Sequence, residues 1–384
     1  MTANSNLPMI SVVIPAYGRV EPLKYTLRSA AVSIAKSGYE GEIIVVDDGS
    51  EPPMEERLAG FDAHHPVRFV RQANQGSIVA RLTGLHEAKG MYIQFLDSDD
   101  LLHSDKLREQ VRVMELENLD VSYTDVAKTV LAEDYEVASF ELLGSVAETS
   151  DSLDFFTKVQ PSLHAPVYRR EYLLNALKNP IIPQDRIFDP SGDIWLYRAL
   201  TLYPAKVRKV PGAYAGIGPH EEGRYSLCWE KLGVASLGID EAFMAATAGQ
   251  PSAGSARRLL GERAYASWRL LPHDVPREYD RRMIALWQST RSVKARRSRG
   301  PFGMVDAALS PWLAGKIYRR LRRPSYAECK TLRSKEEFAA LVAKLPTPPR
   351  AAQPPFPRPP VRPPAFQRPS PKSKFLATDW PPIR

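Results

Sequence analysis

Between residues 10 and 124, short apolar runs alternate with stretches whose apolar residues recur every three or four positions. Ile10–Ile14 is a strand-length run ended by Pro15, and Leu23, Leu27, Ala31 and Ile34 mark one face of a helix starting near Val20. Gly41 breaks that helix, Glu42–Val46 forms the next strand, and Asp47-Asp48-Gly49-Ser50 forms the turn after it. A short helix around Met54–Leu58 precedes a strand at Val67–Val70. Ile78, Leu82 and Leu85 line a helix over Gly76–Lys89, and Tyr92–Leu96 has the length and residue types of a buried strand. This alternation predicts an α/β fold, a mostly parallel sheet with helices on both faces. Beyond Leu119 the pattern loosens: a strand at Val121–Tyr123, a loop over Pro183–Pro190, a helix at Asp193–Leu202, and Arg-rich helical patterning over 228–290. The chain divides on this reading into 1–226, a helical Arg-rich extension 227–344 and a disordered Pro/Arg-rich tail 345–384.

The ends of the strands hold the polar residues. Ligands of open α/β sheets gather at the carboxyl ends of the strands. Pro15-Ala16-Tyr17-Gly18 ends the first strand, where Tyr17 can lie against a base. Asp47 and Asp48 end the second, where a carboxylate can accept a base N–H. Asn74, Gly76 and Arg81 stand at the start of the third helix, and a helix N-terminus with a cation suits a phosphate. Asp97-Ser98-Asp99 follows the Tyr92 strand at once; carboxylates two apart at a strand end can share one hard cation, which can hold a diphosphate. Each signal has a plainer counterpart. Asp97–Asp100 can be a solvated loop capping a helix near Ser104.

Composition narrows the picture. An apolar content of 43% and a charged content of 25% are ordinary for a globular protein. No run approaches the ~18 apolar residues of a membrane span. The polar Met1–Pro8 lacks the basic and apolar regions of a signal peptide, so a cytoplasmic location is expected, with the inner face of the membrane as its limit. Cys228 and Cys329 have no metal-ligand spacing and are expected to be ordinary thiols. The net charge of +8 is concentrated: residues 345–384 hold seven Lys or Arg against one acid, Asp379, so nucleic acid is not an expected partner. Fourteen of those forty residues are Pro. Residues 301–323 join Val305, Leu309, Trp312, Leu313, Ile317 and Tyr318 to a basic end, a composition suited to peripheral membrane contact; Pro311 and Gly315 speak against a continuous helix there.

Taken together, SVVIPAYGR, EIIVVDDGS and NQGSIVARLTGLHEAKGMYIQFLDSDDLL, in that order and spacing, resemble glycosyltransferase family 2, whose enzymes have the GT-A fold. The likeness is dense over about residues 10–115 and thin to about 226. It implies inverting transfer of a sugar from a nucleotide-diphosphate sugar, a UDP-sugar first, to a glycan or lipid-linked acceptor, in bacterial polysaccharide or glycolipid assembly. It implies that Pro15, Tyr17 and Asp48 line a nucleoside pocket with Asp47 nearby. It also implies that Asp97 and Asp99 form a DXD motif holding Mg²⁺ or Mn²⁺, with Arg81 matching the family's Ala-Arg pair. Gly18 and Leu82 stand where the family often has Asn, and Gly192 where it has Glu. Asp193, next along, is the expected base, with Asp185 and Asp189 as rivals and a helix cap as the plainer role. Trp195 and His164 are candidates for acceptor contact, and His220, near Arg224 and Ser226, is a candidate metal ligand. The Gln-x-x-Arg-Trp motif of processive synthases is absent, so single addition is expected. A non-catalytic nucleotide-sugar-binding protein on the same scaffold is the alternative.

Overall fold

The structure is a computed structural model that describes residues 10–219, 228–290 and 311–346. Contacts divide the chain into two units, Met1–Pro180 with Gln184–Glu222 and Ile181–Pro183 with Gly223–Arg384.

The first unit is an α/β layer structure on one sheet. Strands β1 (Ile10–Ala16), β2 (Gly41–Asp47), β3 (Val67–Arg71) and β4 (Tyr92–Phe95) lie in the order β3-β2-β1-β4, all parallel. Their neighbours are β5 (Leu101–Leu102), β6 (Val121–Leu131), β7 (Val137–Gly144), β8 (Val167–Arg169) and β9 (Val207–Ile217). These continue the sheet as β8-β6-β9-β5 with β7 on β6; only β6/β9 is parallel among these pairings. The chain leaves β1 toward β2 and returns to its other side as β4, which makes that end of the sheet the switch point where a ligand crevice opens. The register sets Ala16 beside Asp47 and Val13 beside Phe95, so the turns after β1, β2 and β4 emerge along one edge.

The helices are built as their residues require. Helix α1 (Glu21–Ser37) has Pro22 in its first turn and ends on Gly38 at φ 77°, and it buries Leu23, Leu27, Ala30, Ala31 and Ile34. Helices α2 (Met54–Arg57), α3 (Ser77–Glu87) and α4 (Lys106–Glu117) follow. Gly84 lets α3 close on the sheet, since a Cβ there would lie 2.3 Å from Val13 Cγ1. After the short turn α5 (Ser152–Asp154) and α6 (Arg170–Ala176), a 3₁₀ turn at Arg186–Ser191 leads into α7 (Gly192–Leu200). The expected loop over 183–190 is thus partly helical.

The second unit is helical among its described residues: α8 (Trp229–Ala246), α9 (Gly254–Leu270), α10 (Arg277–Gln288), then Pro311–Arg322 and Lys335–Ala343. Its interior ties charge to aromatic rings. The Arg319 guanidinium lies 4.9 Å from the Trp268 ring and pairs with Asp280, whose Oδ1 also accepts Trp268 Nε1 at 2.9 Å. Cys228 and Cys329 are free and buried, as ordinary thiols. No described helix is long and apolar enough to cross a membrane. The expected disordered tail lies outside the described residues from 347 onward.

Candidate functional site

Three turns meet at the switch-point edge. Gly18 sits at φ 72°, a left-handed conformation that Gly and Asn enter most cheaply, which accounts for Gly where the family often has Asn. Its N–H donates to Ser50 Oγ at 3.1 Å, joining the first turn to the second. The next residue, Arg19, pairs with Asp99 at 3.0 Å, joining the first to the fourth. Tyr17 stands 57% exposed on this edge, while Pro15 is buried in β1.

The two acids of the second turn hold backbone. Asp47 Oδ1 accepts Ser50 N–H and Oδ2 accepts Met54 N–H, both at 2.9 Å. Asp48 accepts Gln75 N–H and Gln72 Nε2 at one oxygen and Gly76 N–H at the other, each at 2.8 Å. Both are buried. The pair expected to face a base therefore first builds the turn and the approach to α3.

The start of α3 differs from the expected phosphate seat. Gly76 N–H is given to Asp48, and Asp189 Oδ1 accepts Ile78 N–H at 3.1 Å and Ser77 Oγ–H at 3.2 Å. A carboxylate from the chain thus lies where a phosphate was expected. A Cβ at Gly76, which has φ 97°, would stand 2.0 Å from Asp189 Oδ2. Burial raises the Asp189 pKa above the ordinary carboxylate value. Asn74 adjoins this turn, with a buried Oδ1 that has no hydrogen-bond partner.

Arg81 is the hub of the remaining acids. It is 9% exposed; Nη2 donates to Asp97 Oδ1 at 2.5 Å and Nη1 to Ser77 Oγ at 3.3 Å. A Cβ on Gly192 would stand 2.8 Å from Arg81 Nη1, so the missing side chain at 192, where the family has Glu, is the space Arg81 fills. Asp193 follows at the start of α7, its Oδ1 accepting its neighbour's Ile194 N–H at 2.7 Å. Its pKa is raised, first by burial and further by the Asp97 charge, while Ile194 N–H and Arg81 oppose the rise. Of its rivals, Asp189 caps α3 and Asp185 caps the 3₁₀ turn through Ile187 N–H at 2.9 Å.

Asp100 anchors the acidic turn from behind. Its Oδ2 meets His164 Nδ1 at 2.9 Å and its Oδ1 accepts Gly218 N–H at 3.3 Å. His164 is 1% exposed, so its place is behind the acids and the expected acceptor contact is corrected. Trp195, 2% exposed, is core and likewise does not line an open acceptor face. Ser98 is buried between the two acids. His220, Arg224 and Ser226 lie outside the described residues.

Asp99 and Asp97 thus pair with Arg19 and Arg81, the Arg81 charge also reaches Asp189 and Asp193, and Asp100 stands behind them on His164. Hard carboxylate oxygens suit Mg²⁺ or Mn²⁺. No three His, Cys, Asp or Glu among the described residues form a ready cage. Mg²⁺ is usually bound by one or two carboxylates together with substrate phosphates. Arg19 and Gln72 are the contributors that sequence reasoning did not single out. The signal for Arg19 was a cation directly after a left-handed turn at a strand end.

Residues 11–156 match the family described as Glycosyl transferase family 2. An uncharacterized glycosyltransferase of Rickettsia conorii is 35% identical over 119 residues, 31% of this chain and 19% of that protein. A putative teichuronic acid biosynthesis glycosyltransferase of Bacillus subtilis is 32% identical over 120 residues, 30% of this chain and 46% of that protein. The chain therefore spans less than half the length of either relative. Among solved structures, Staphylococcus aureus TarS 1–349 in complex with UDP-GlcNAc is 16% identical, with a TM-score of 0.46 over 74% of this chain and 91% of that one. The motif-bearing turns and the family match coincide, and over residues 11–156 the chain is similar to glycosyl transferase family 2.

Proposed function

We propose that the chain transfers a sugar, with inversion, from a nucleoside-diphosphate sugar to an acceptor hydroxyl. One observation carries this reading: the Asp97–Asp99 turn, Arg81 and the start of α7 meet at the sheet's switch point. Tyr17 offers an exposed ring to the base, with Asp48 fixing the turn beneath it. Asp97 and Asp99, with His220 as a further candidate, would hold Mg²⁺ or Mn²⁺, which when bound neutralises charge on the departing diphosphate. The Asp193 carboxylate accepts the acceptor's hydroxyl proton. The freed oxygen bonds to the anomeric carbon while the bond from that carbon to the phosphate oxygen breaks, its electron pair leaving with the diphosphate. Arg19 and Arg81 keep the two acids oriented before the donor arrives.

A UDP-sugar is the first donor to test. The acceptor class is a glycan or lipid-linked acceptor; the Bacillus relative's name, which speaks of teichuronic acid biosynthesis, supports a glycan. The arginine partners of both acids favour one second reading, a protein that binds nucleotide sugars without turnover. Hydrolysis of a donor panel with Mn²⁺ separates the two. In Asp193→Asn, transfer is expected to vanish while donor binding persists; equal loss of both would remove Asp193 from the chemistry.

A further inference from the structure

The helix Pro311–Arg322 in the second unit presents two different arcs. Pro311 opens it, where a missing N–H is harmless. Gly315 does not break it: a Cβ there would stand 2.3 Å from Trp268 Cζ3, so the glycine lets the helix close on α9. With Gly315, Ala314 at 1% and Arg319 at 2% exposure make the buried arc. The opposite arc carries Leu313, Ile317 and Leu321, spaced four apart, and beside them Trp312, Lys316 and Arg320. Trp312 is 37%, Leu313 38% and Leu321 68% exposed, and Lys316 Nζ lies 4.2 Å from the Trp312 ring. No residue of the helix is acidic.

We propose that this outward arc rests on an anionic lipid surface. An apolar stripe with a tryptophan, bordered by cations, matches the layering of a bilayer interface. The leucines enter the acyl boundary while Lys316 and Arg320 extend along it to anionic headgroups. Lipid supplies negative charge at any register, whereas a protein groove would need acids placed against both cations. Residues 301–310 lie outside the described residues, and residues 312–321 alone form the arc. It does not depend on sugar transfer, because the readout below uses neither donor nor acceptor.

The test is co-sedimentation of the full chain with vesicles of phosphatidylcholine alone or with phosphatidylglycerol added. Wild type is expected to bind only the mixed vesicles. Leu313→Ser with Leu321→Ser should lower partition about tenfold by removing buried apolar surface. Lys316→Glu with Arg320→Glu should lower it about fivefold or more for each cation. A chain ending at Pro346 should keep the leucine dependence, which separates the helix from the basic tail. All four substituted positions are solvent-facing, and melting curves confirm folding; Leu313→Gln with Leu321→Gln replaces a pair that melts early. Undiminished binding by the leucine variants, or equal binding to neutral vesicles, overturns the proposal. So does a wild-type dimer that those variants lose, which would assign the arc to a second copy.

Discussion

Asp47 and Asp48 leave β2 at the same sheet edge where Asp97 and Asp99 leave β4, yet the two turns use their carboxylates differently. The first pair accepts hydrogen bonds from the backbone of Ser50, Met54, Gln75 and Gly76. The second pair meets guanidinium groups, Arg81 on Asp97 and Arg19 on Asp99. Backbone donors are fixed by the fold they help to define. A side-chain cation can be exchanged for another cation. Two Asp-containing turns of similar appearance therefore divide into one that shapes the crevice and one that is chemically available to a ligand.

The comparison breaks or sharpens with four substitutions. The largest effect is expected at Asp99→Asn: transfer should fall by about two to three orders of magnitude, the scale of losing one group that supports transition-state charge. Its stability in urea should change by less than about 1 kcal/mol, because the Arg19 pair is partly exposed. Asp48→Ala should do the reverse and cost about 3 kcal/mol in urea unfolding, since the buried Gly76 N–H and the part-buried Gln75 N–H lose their acceptor at ~1–3 kcal/mol each. A mild stability change there would make Asp48 chiefly a ligand contact.

Arg19→Met comes next. Removing the resident cation from Asp99 should tighten Mn²⁺ binding to the nucleotide-free protein about two- to fivefold, the worth of a partly exposed ion pair. Unchanged or weaker Mn²⁺ binding by titration calorimetry would show that Arg19 supports the site and does not compete for it. The smallest effect concerns pH. Asp193 has a folded pKa above its unfolded value, so its ionised form opposes folding, and the penalty grows as pH rises past the ordinary carboxylate range. Asp193→Asn should melt slightly above wild type at neutral pH and equal to it in strong acid. Wild-type transfer should rise with pH only once this carboxyl ionises, later than an exposed aspartate would.

The parallel half of the sheet was legible because each strand is an apolar run closed by turn residues, as at Tyr92–Phe95 and Gly41–Asp47. Strand β9 was not, because Pro211-Gly212 inside it has the look of a turn; the sheet absorbs them as an irregularity opposite Tyr123–Asp125, with Thr124 Oγ1 donating to Gly212 O. The two-residue β5 carries too little pattern to be seen, and it pairs with β9 far along the chain. At the site, the motif acids and Arg81 were legible, while Arg19 and the placing of Asp189 were not. Arg19 is 80 positions from Asp99, and Asp189 is 111 from Ile78, distances over which no local spacing rule operates. For the same reason Asp189, a rival for the base, is found holding the start of α3, and His164, a candidate for acceptor contact, is found buried behind Asp100.

The most direct test of the account is calorimetric titration of UDP into wild type and Asp99→Asn, each with Mn²⁺ and with EDTA. Binding to wild type that requires Mn²⁺ and disappears in Asp99→Asn is the predicted result. Binding of equal strength in EDTA, or in Asp99→Asn with Mn²⁺, would contradict a cation-held diphosphate at this turn.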